Sequence, residues 1–156
     1  MKSNRLEILR LPEIGEGKRG VEGHIGYLLR QAFAAHRRMM EKALSDLGIT
    51  PPQFSVLTML VAYPGISGAD LARLSLLTPQ TMSLIVANLE RMGAIQRRAD
   101  PVHGRILHIE ATASGKLLLS KCRRRVQVVE RQLRNALGKT PETAVKAWLV
   151  AVALED

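Results

Sequence analysis

The sequence has one cysteine, few aromatic residues and no long apolar run, and each shortage excludes a class of protein. The single cysteine, Cys122, cannot form an intramolecular disulfide and is typical of a reducing compartment, so we expect a cytoplasmic protein. An aromatic content of 3% disfavours a protein that stacks single-stranded bases on aromatic rings. The chain has neither an apolar run long enough for a membrane span nor the apolar core of a signal peptide, so we expect no membrane partner.

The sequence also lacks the motifs of common catalytic and metal sites. It contains no glycine-rich phosphate loop and no nucleophile elbow. The four histidines are not spaced four residues apart on a helix, and none has an acid at ligand spacing. We therefore expect a protein that is not an enzyme, with no catalytic residue, no metal site and no cofactor.

Positive charge, in contrast, is abundant. Lys and Arg number 23 against 14 Asp and Glu, which gives a formal net charge of +9 and a pI near 10.4. Such a balance favours a polyanionic partner such as nucleic acid. Residues 64–110 carry five Arg and four acids, a net of +1, whereas residues 111–156 carry nine basic residues and four acids, a net of +5. Most of the excess therefore lies in the C-terminal part of the chain.

Length and apolar content predict one domain with a real core, alone or with an oligomerisation element, since 46% of the 156 residues are hydrophobic. Residues 1–22, with several glycines among mixed charges, predict a flexible N-terminal arm. Apolar positions within residues 23–49 follow one face of a long helix. Thr50 and Pro51 begin a second helix. Ser67 begins a short third helix, with Asp70 at capping-box spacing and with Leu71 and Leu74 facing inward.

The stretch from Thr78 to Gly93 predicts a short helix with a defined start and end. Thr78 can cap it, Pro79 suits the first helical position, and Gly93 supplies the left-handed stop. Apolar residues at the spacing of one buried stripe are Met82, Ile85, Val86, Leu89 and Met92. The opposite face is small, polar and free of acid, which suits a helix that enters the major groove of double-stranded DNA. Together with the third helix it forms a helix-turn-helix, and we call it the recognition helix.

After Gly93 the apolar spacing changes to the alternation of two strands, within residues 94–99 and 105–111. The segment D-P-V-H-G between them is a loop of turn-forming residues. A hairpin directly after a helix-turn-helix is a wing, and its basic residues can reach phosphate or a minor groove. The sequence therefore predicts a mainly α fold with a small β wing, in which residues 50–111 form a winged helix-turn-helix DNA-binding domain.

Residues 112–156 predict two further helices. The first begins at Thr112, and the second begins at Thr140-Pro141 and turns Trp148, Leu149 and Val152 inward. A small winged domain does not need long amphipathic helices at both of its ends. We therefore interpret residues 23–49 and 112–156 as dimerisation helices and expect a homodimer.

This order of elements resembles the MarR family of winged-helix transcription factors over about residues 24–154. The most specific part is LERMGAIQRRADPVHGRILHIEATASG, which is similar to the family's run of Leu-Glu, Gly, basic strand, Asp, Gly-Arg, strand, Thr and Gly. The chain departs from the family pattern at Leu84, His103 and Ala111. The resemblance implies a wing ion pair between Asp100 and Arg105. It also implies a small-molecule effector pocket, for which the candidates are Phe33, His36, Met40 and Met59, although core packing explains these residues equally well.

The sequence thus predicts a transcriptional regulator, with repression favoured, that binds an inverted repeat in double-stranded DNA as a homodimer and is released by a small-molecule effector. The candidate DNA contacts are Thr78, Gln80, Thr81, Ser83, Leu84, Asn88, Arg97, Arg98, His103 and Arg105. Leu84 either touches a thymine methyl group or extends the buried stripe. Two alternative functions stay open: a winged-helix interaction or architectural module without sequence choice, and a redox sensor at Cys122, for which a buried structural thiol is the favoured interpretation.

Overall fold

A computed structural model describes residues 10–104 and 107–155 of the chain, without the side chain of Leu107. The chain divides into two compact units, Met1–Arg38 and Met39–Asp156. The long helix α1 (Ile25–Leu44) begins in the first unit and ends in the second. None of the helices in the described part of the chain is both long and apolar enough to cross a membrane.

In the first unit, the segment before α1 is hydrogen-bonded to that helix. It contains a short 3-10 helix at Gly17–Arg19. The guanidinium of Arg19 donates to the carbonyl oxygen of Pro12 at 2.8 Å, and the side-chain amide of Gln31 donates to the carbonyl oxygen of Arg19 at 3.1 Å. The flexibility expected of residues 1–22 stays a prediction, and residues 1–9 lie outside the described residues.

In the second unit, three helices begin at the capping residues that the sequence predicts. They are α2 (Pro51–Ala62), α3 (Gly68–Leu74) and α4 (Pro79–Arg91). Thr50 caps α2 in a complete capping box with Gln53, and the hydroxyl of Ser67 accepts the N–H of Asp70 at the start of α3. The helix α4 is the recognition helix, and its observed bounds agree with the predicted stretch.

The wing is a two-stranded antiparallel sheet. Strands β1 (Ile95–Ala99) and β2 (Leu107–Ala111) pair so that Ile95 faces Ala111 and Arg98 faces His108. Ile95 and Ile109 are buried against the helices, and this burial fixes one face of the hairpin to the domain. The prediction of a mainly α fold with a small β wing is confirmed.

The core of the second unit is built from one fully buried leucine of each helix that meets there. After the wing, the chain continues into α5 (Ala113–Ala136) and α6 (Glu142–Ala153). The leucines, from α1 to α5, are Leu44, Leu57, Leu71, Leu89 and Leu119. Each buried leucine stabilises the fold by about 1.5–3 kcal/mol, so these contacts hold α4 firmly against the core.

Several side chains that the helical pattern assigns to the interior are exposed instead. Met92, which follows the last residue of α4, is 44% exposed, and Leu74 at the end of α3 is 44% exposed. In α6, Trp148, Leu149 and Val152 are 42–45% exposed, and the helix has no buried residue. The prediction that they turn inward is therefore wrong for a single chain, because each of the three side chains is more than 40% exposed.

Candidate DNA interface

The first turn of α4 is held by a hydroxyl network. The Thr78 hydroxyl oxygen accepts the N–H of Thr81 at 3.2 Å, and the Thr78 hydroxyl lies 2.9 Å from that of Thr81, to which it donates. Thr78 therefore acts mainly as a cap. The Thr81 hydroxyl still has its own proton and can donate it outward, as a contact to phosphate requires.

Ser83 has the opposite arrangement. Its hydroxyl donates to the carbonyl oxygen of Pro79 at 2.9 Å, so only its lone pairs remain available. Such an oxygen suits an amino group on a base edge better than a phosphate. The sequence alone does not distinguish Thr81 from Ser83 in this way, because the distinction depends on where each hydroxyl proton goes.

The exposed ridge of α4 continues from Gln80 to Leu84 and Asn88, at intervals of four residues that place them on one face. Gln80 is exposed, and its amide has no hydrogen bond to any described residue. Leu84 is 68% exposed, so it does not extend the buried stripe. Asn88 is half-buried and accepts a hydrogen bond from the guanidinium of Arg91. The ridge therefore offers one free amide and one apolar side chain to a partner.

Two consecutive arginines of β1 add positive charge to the wing, and Arg97 lies beside α4. The Nε of Arg97 lies 3.3 Å from a carboxylate oxygen of Glu90, and the Nε of Arg98 lies 3.9 Å from one of Glu110. All four side chains are more than one third exposed. Exposed ion pairs contribute only about 0–1 kcal/mol, so both arginines can exchange a carboxylate for a phosphate at little cost.

The wing turn is organised around the carboxylate of Asp100. One oxygen accepts the backbone N–H groups of Val102 and His103 at 2.8 and 2.7 Å, and the other lies 2.8 Å from the Nε2 of His108. The hydrogen bond with His108, followed by those of the two backbone groups, lowers the pKa of Asp100 to about 2. The same carboxylate raises the pKa of His108. Asp100 is therefore ionised and fully bonded at neutral pH.

Arg105, which the family resemblance pairs with Asp100, lies outside the described residues, so that ion pair stays a prediction. The described partner of Asp100 is His108, a pairing that the sequence did not predict. The signal was present in the strand register, because His108 faces Arg98, two residues before Asp100. The ring of His103 is exposed at the tip of the wing, where it was expected.

Three residues fix the start of α5 to the end of α4. The hydroxyls of Thr112 and Ser114 both donate to the carbonyl oxygen of Gly93, at 2.6 and 2.7 Å. The N–H of Thr112 donates to the carbonyl oxygen of Ala94 at 3.0 Å, and Gly115 packs directly on the same peptide. The dimerisation helix predicted from residue 112 is thus connected rigidly to the recognition helix.

A cavity of about 340 Å³ lies between the start of α3, the inner side of α4 and the sheet. Its walls include Gly68, Pro79, Met82, Val86 and Arg97. The cavity combines apolar walls with one guanidinium, as a site for a small organic anion would. The sequence did not predict it, because its walls come from four separate segments.

The predicted effector-pocket residues divide between the two units. Phe33 is 66% exposed and His36 is half-buried in the first unit. Met40, 7% exposed, and the half-buried Met59 pack in the core of the second. Core packing accounts for the two methionines, and the pocket stays a prediction.

Cys122 has no exposed surface, and its burial raises the pKa of the thiol. Both properties disfavour the reactive thiolate that a redox sensor needs. Among the described residues, no group of three histidine, cysteine or carboxylate side chains is placed to hold a metal ion.

Comparison with known proteins agrees with this geometry. The family model for the MarR family matches residues 47–106, which run from the turn before α2 to the wing. The HTH-type transcriptional repressor Rv2887 of Mycobacterium tuberculosis (strain ATCC 25618 / H37Rv) is 38% identical over 125 residues, covering 80% of this chain and 90% of the repressor.

Solved structures share the fold. Rv2887 in complex with p-aminosalicylic acid has a TM-score of 0.69 at 33% identity and covers 83% of this chain and 98% of that one. CouR, a repressor of Rhodococcus jostii RHA1 solved on a 23-mer DNA duplex, has a TM-score of 0.80 at 24% identity and covers 91% of this chain and 99% of that one. The second likeness shows the fold alone. The chain therefore belongs to the MarR family of transcriptional regulators and is not an enzyme.

Proposed function

We propose that this protein is a transcriptional repressor that binds an inverted repeat in double-stranded DNA as a homodimer. The observation that carries the proposal is the exposed, acid-free first half of α4 beside the arginines of β1. The naming of Rv2887 as a repressor supports it, and so does the DNA duplex on which CouR was solved. A cytoplasmic location follows from this function.

In the proposed complex, α4 enters the major groove. The free amide of Gln80 reads an adenine by two hydrogen bonds, and the exposed Leu84 touches a thymine methyl group. Thr81 donates to a phosphate, while Arg97 and Arg98 leave their exposed carboxylate partners for the DNA backbone. The other proposed contacts are Ser83, Asn88, His103 and Arg105, with Thr78 as the cap that fixes the helix end.

The proposed dimer covers the apolar side chains that a single chain leaves exposed. Trp148, Leu149, Val150 and Val152 of α6 are 42–59% exposed, and Phe33 of α1 is 66% exposed. Several exposed apolar side chains on one helix, as on α6, mark an interface more often than a free surface. A two-fold dimer sets two copies of α4 about one helical turn, roughly 10 bp, apart.

Selection of bound duplexes from a random pool tests this function. The proposal expects an inverted repeat and a specificity ratio of about a thousand or more over unrelated DNA at physiological salt. Equal, strongly salt-dependent binding to all sequences would instead identify an architectural module.

The cavity beside α4 supports a second proposal, that a small organic anion releases the protein from DNA. Its guanidinium, Arg97, is also a proposed phosphate contact, so an anion bound there would withdraw it from the DNA backbone. Rv2887 has been solved with salicylic acid and with p-aminosalicylic acid, which have the size and charge that the cavity suits. The predicted pocket of Phe33, His36, Met40 and Met59 is the alternative location.

Thermal unfolding with and without salicylate tests this feature without DNA, since a ligand at a hundred times its Kd stabilises a protein by about 2.7 kcal/mol. We expect Arg97→Gln to abolish the rise in Tm and Arg98→Gln, the matched control outside the cavity walls, to keep it. If Phe33→Ala abolished the rise in Tm and Arg97→Gln did not, salicylate would bind in the alternative pocket.

A further inference from the structure

His108, the second residue of β2, connects the two strands of the wing. Its Nε2 lies 2.8 Å from the Oδ2 of Asp100, at the end of β1. A backbone group of Gly65, in the loop between α2 and α3, also helps to raise the pKa of His108. The side chain is only 31% exposed, and that of Asp100 only 22%. One imidazole therefore joins β2 to the end of β1 through Asp100.

The conformation of the wing tip depends on the same carboxylate. The Oδ1 of Asp100 accepts the N–H groups of Val102 and His103, which shape the turn. His108 restrains the other carboxylate oxygen of Asp100, Oδ2, through its Nε2. A change at His108 is therefore transmitted through Asp100 to the backbone that carries the tip.

The charges around His108 favour its protonated form. Asp100 is its direct partner, and Glu110 on the same strand contributes further negative charge. Arg98, which faces His108 on β1, is itself paired with Glu110 at 3.9 Å. The imidazolium makes a charge-assisted hydrogen bond with the Asp100 carboxylate, which is stronger than the bond that a neutral imidazole can make.

We propose that protonated His108 positions the wing on DNA, and that its deprotonation releases the wing and weakens DNA binding. His108 acts through Asp100 and the turn, and it is a positioning residue that need not touch DNA. The inference rests on the proposed function in one respect only, because DNA affinity is its main readout.

The direction of the pH effect follows from the pKa shifts. The hydrogen bond with Asp100 raises the pKa of His108 above its ordinary value of 6.5, so the ring is cationic at pH 6 and becomes neutral as pH rises through the raised value. Asp100, with a pKa of about 2, stays ionised over this whole range. Affinity is therefore highest near pH 6 and declines towards pH 9.

Fluorescence anisotropy with a selected duplex, from pH 6 to 9, tests the proposal on the wild type, His108→Gln and His24→Gln. Wild-type affinity should fall on the order of tenfold across the range, the scale of one charge-assisted hydrogen bond. His108→Gln should bind weakly at every pH. His24→Gln, the control, changes an exposed histidine that the proposed interface does not use, and it should follow the wild type.

The salt dependence of binding gives a signature that a merely structural residue would not produce. When the wing leaves the DNA, the slope of log affinity against log salt should decrease by about one for each phosphate that the wing no longer neutralises. The wild type should show this change between pH 6 and pH 9, and His108→Gln should show the smaller slope throughout. The inference would be overturned if His108→Gln bound DNA at pH 6 as tightly as the wild type does, or if its affinity changed with pH as that of the wild type does.

Amide hydrogen exchange separates this inference from the proposed function, because it needs no DNA. Protection of the Val102 and His103 amides, corrected for intrinsic exchange, should decrease with pH in the wild type and be absent in His108→Gln. Protection of the Leu89 amide in α4 should stay the same and so verify the fold. Equal tip protection in both proteins would refute the role of His108, whereas failure of the wild type to bind any duplex would refute the proposed function alone.

Discussion

Gly115 is the residue at which a single added methyl group should have the clearest effect. It lies in the first turn of α5, buried against the peptide that joins Gly93 to β1. A Cβ at this position would overlap the carbonyl oxygen of Ala94 and lie 2.8 Å from its carbonyl carbon. That oxygen also accepts the N–H of Thr112, so the methyl group would push on a bonded backbone group that cannot rotate away.

The magnitude is set by opposing terms. Alanine is favoured over glycine in a helix by about 1 kcal/mol. Overpacking typically costs about 1–3 kcal/mol, and strain in the Thr112 hydrogen bond adds roughly 1 kcal/mol. We therefore expect Gly115→Ala to lower the free energy of unfolding by about 1–3 kcal/mol. In a chain of this size that corresponds to a fall in Tm of roughly 2–4 °C for each kcal/mol.

Thermal unfolding followed by circular dichroism, at one protein concentration, measures the effect. Gly68→Ala is the matched control, because Gly68 is the first residue of α3 and a Cβ there meets nothing within 4 Å. Its Tm should be unchanged or slightly raised. A Tm of Gly115→Ala at or above that of the wild type would show that the contact between α5 and Ala94 is not close packing.

Three further predictions concern the turn before the recognition helix, the exposed face of that helix and the core. Leu76 is 92% exposed and has a φ of 55°, a left-handed conformation that costs a non-glycine residue about 1–2 kcal/mol. Leu76→Gly should therefore raise the Tm. A clear fall in Tm would show that the backbone at Leu76 is not strained. Gln80→Ala should reduce the discrimination between bases at one position of the DNA site by about 1–3 kcal/mol, whereas Arg97→Gln should weaken binding to all sequences alike. Identical selection profiles for the wild type and Gln80→Ala would show that the assigned face of α4 does not read the DNA. Cys122→Ser should destabilise the fold by about 1–3 kcal/mol because it buries a hydroxyl without a partner, and rapid labelling of the native thiol by a disulfide reagent would show that Cys122 is accessible after all.

The recognition helix was predictable because its signals are local. Thr78, Pro79 and Gly93 set its ends through backbone chemistry, and the spacing of Met82 and Leu89 sets its buried side. Caps, proline and left-handed glycine act within a few residues of each other, so they can be read without tertiary contacts.

The contacts that position the wing could not be read in this way. The pairing of Asp100 with His108 depends on the register of two strands, and the contact of Gly115 with Ala94 depends on how α5 returns to α4. The exposure of Leu149 was missed for another reason, since helical periodicity shows that a stripe is apolar without showing whether the same chain covers it.

A hydroxyl-radical footprint of the wild type on its selected duplex tests the central claim most directly. If two copies of α4 enter adjacent major grooves of an inverted repeat, the cleavage pattern should show two symmetric protected regions about 10 bp apart on one face of the duplex, flanked by weaker protection from the wings. A single protected region, or even protection along the whole duplex, would contradict sequence-specific binding by a dimer.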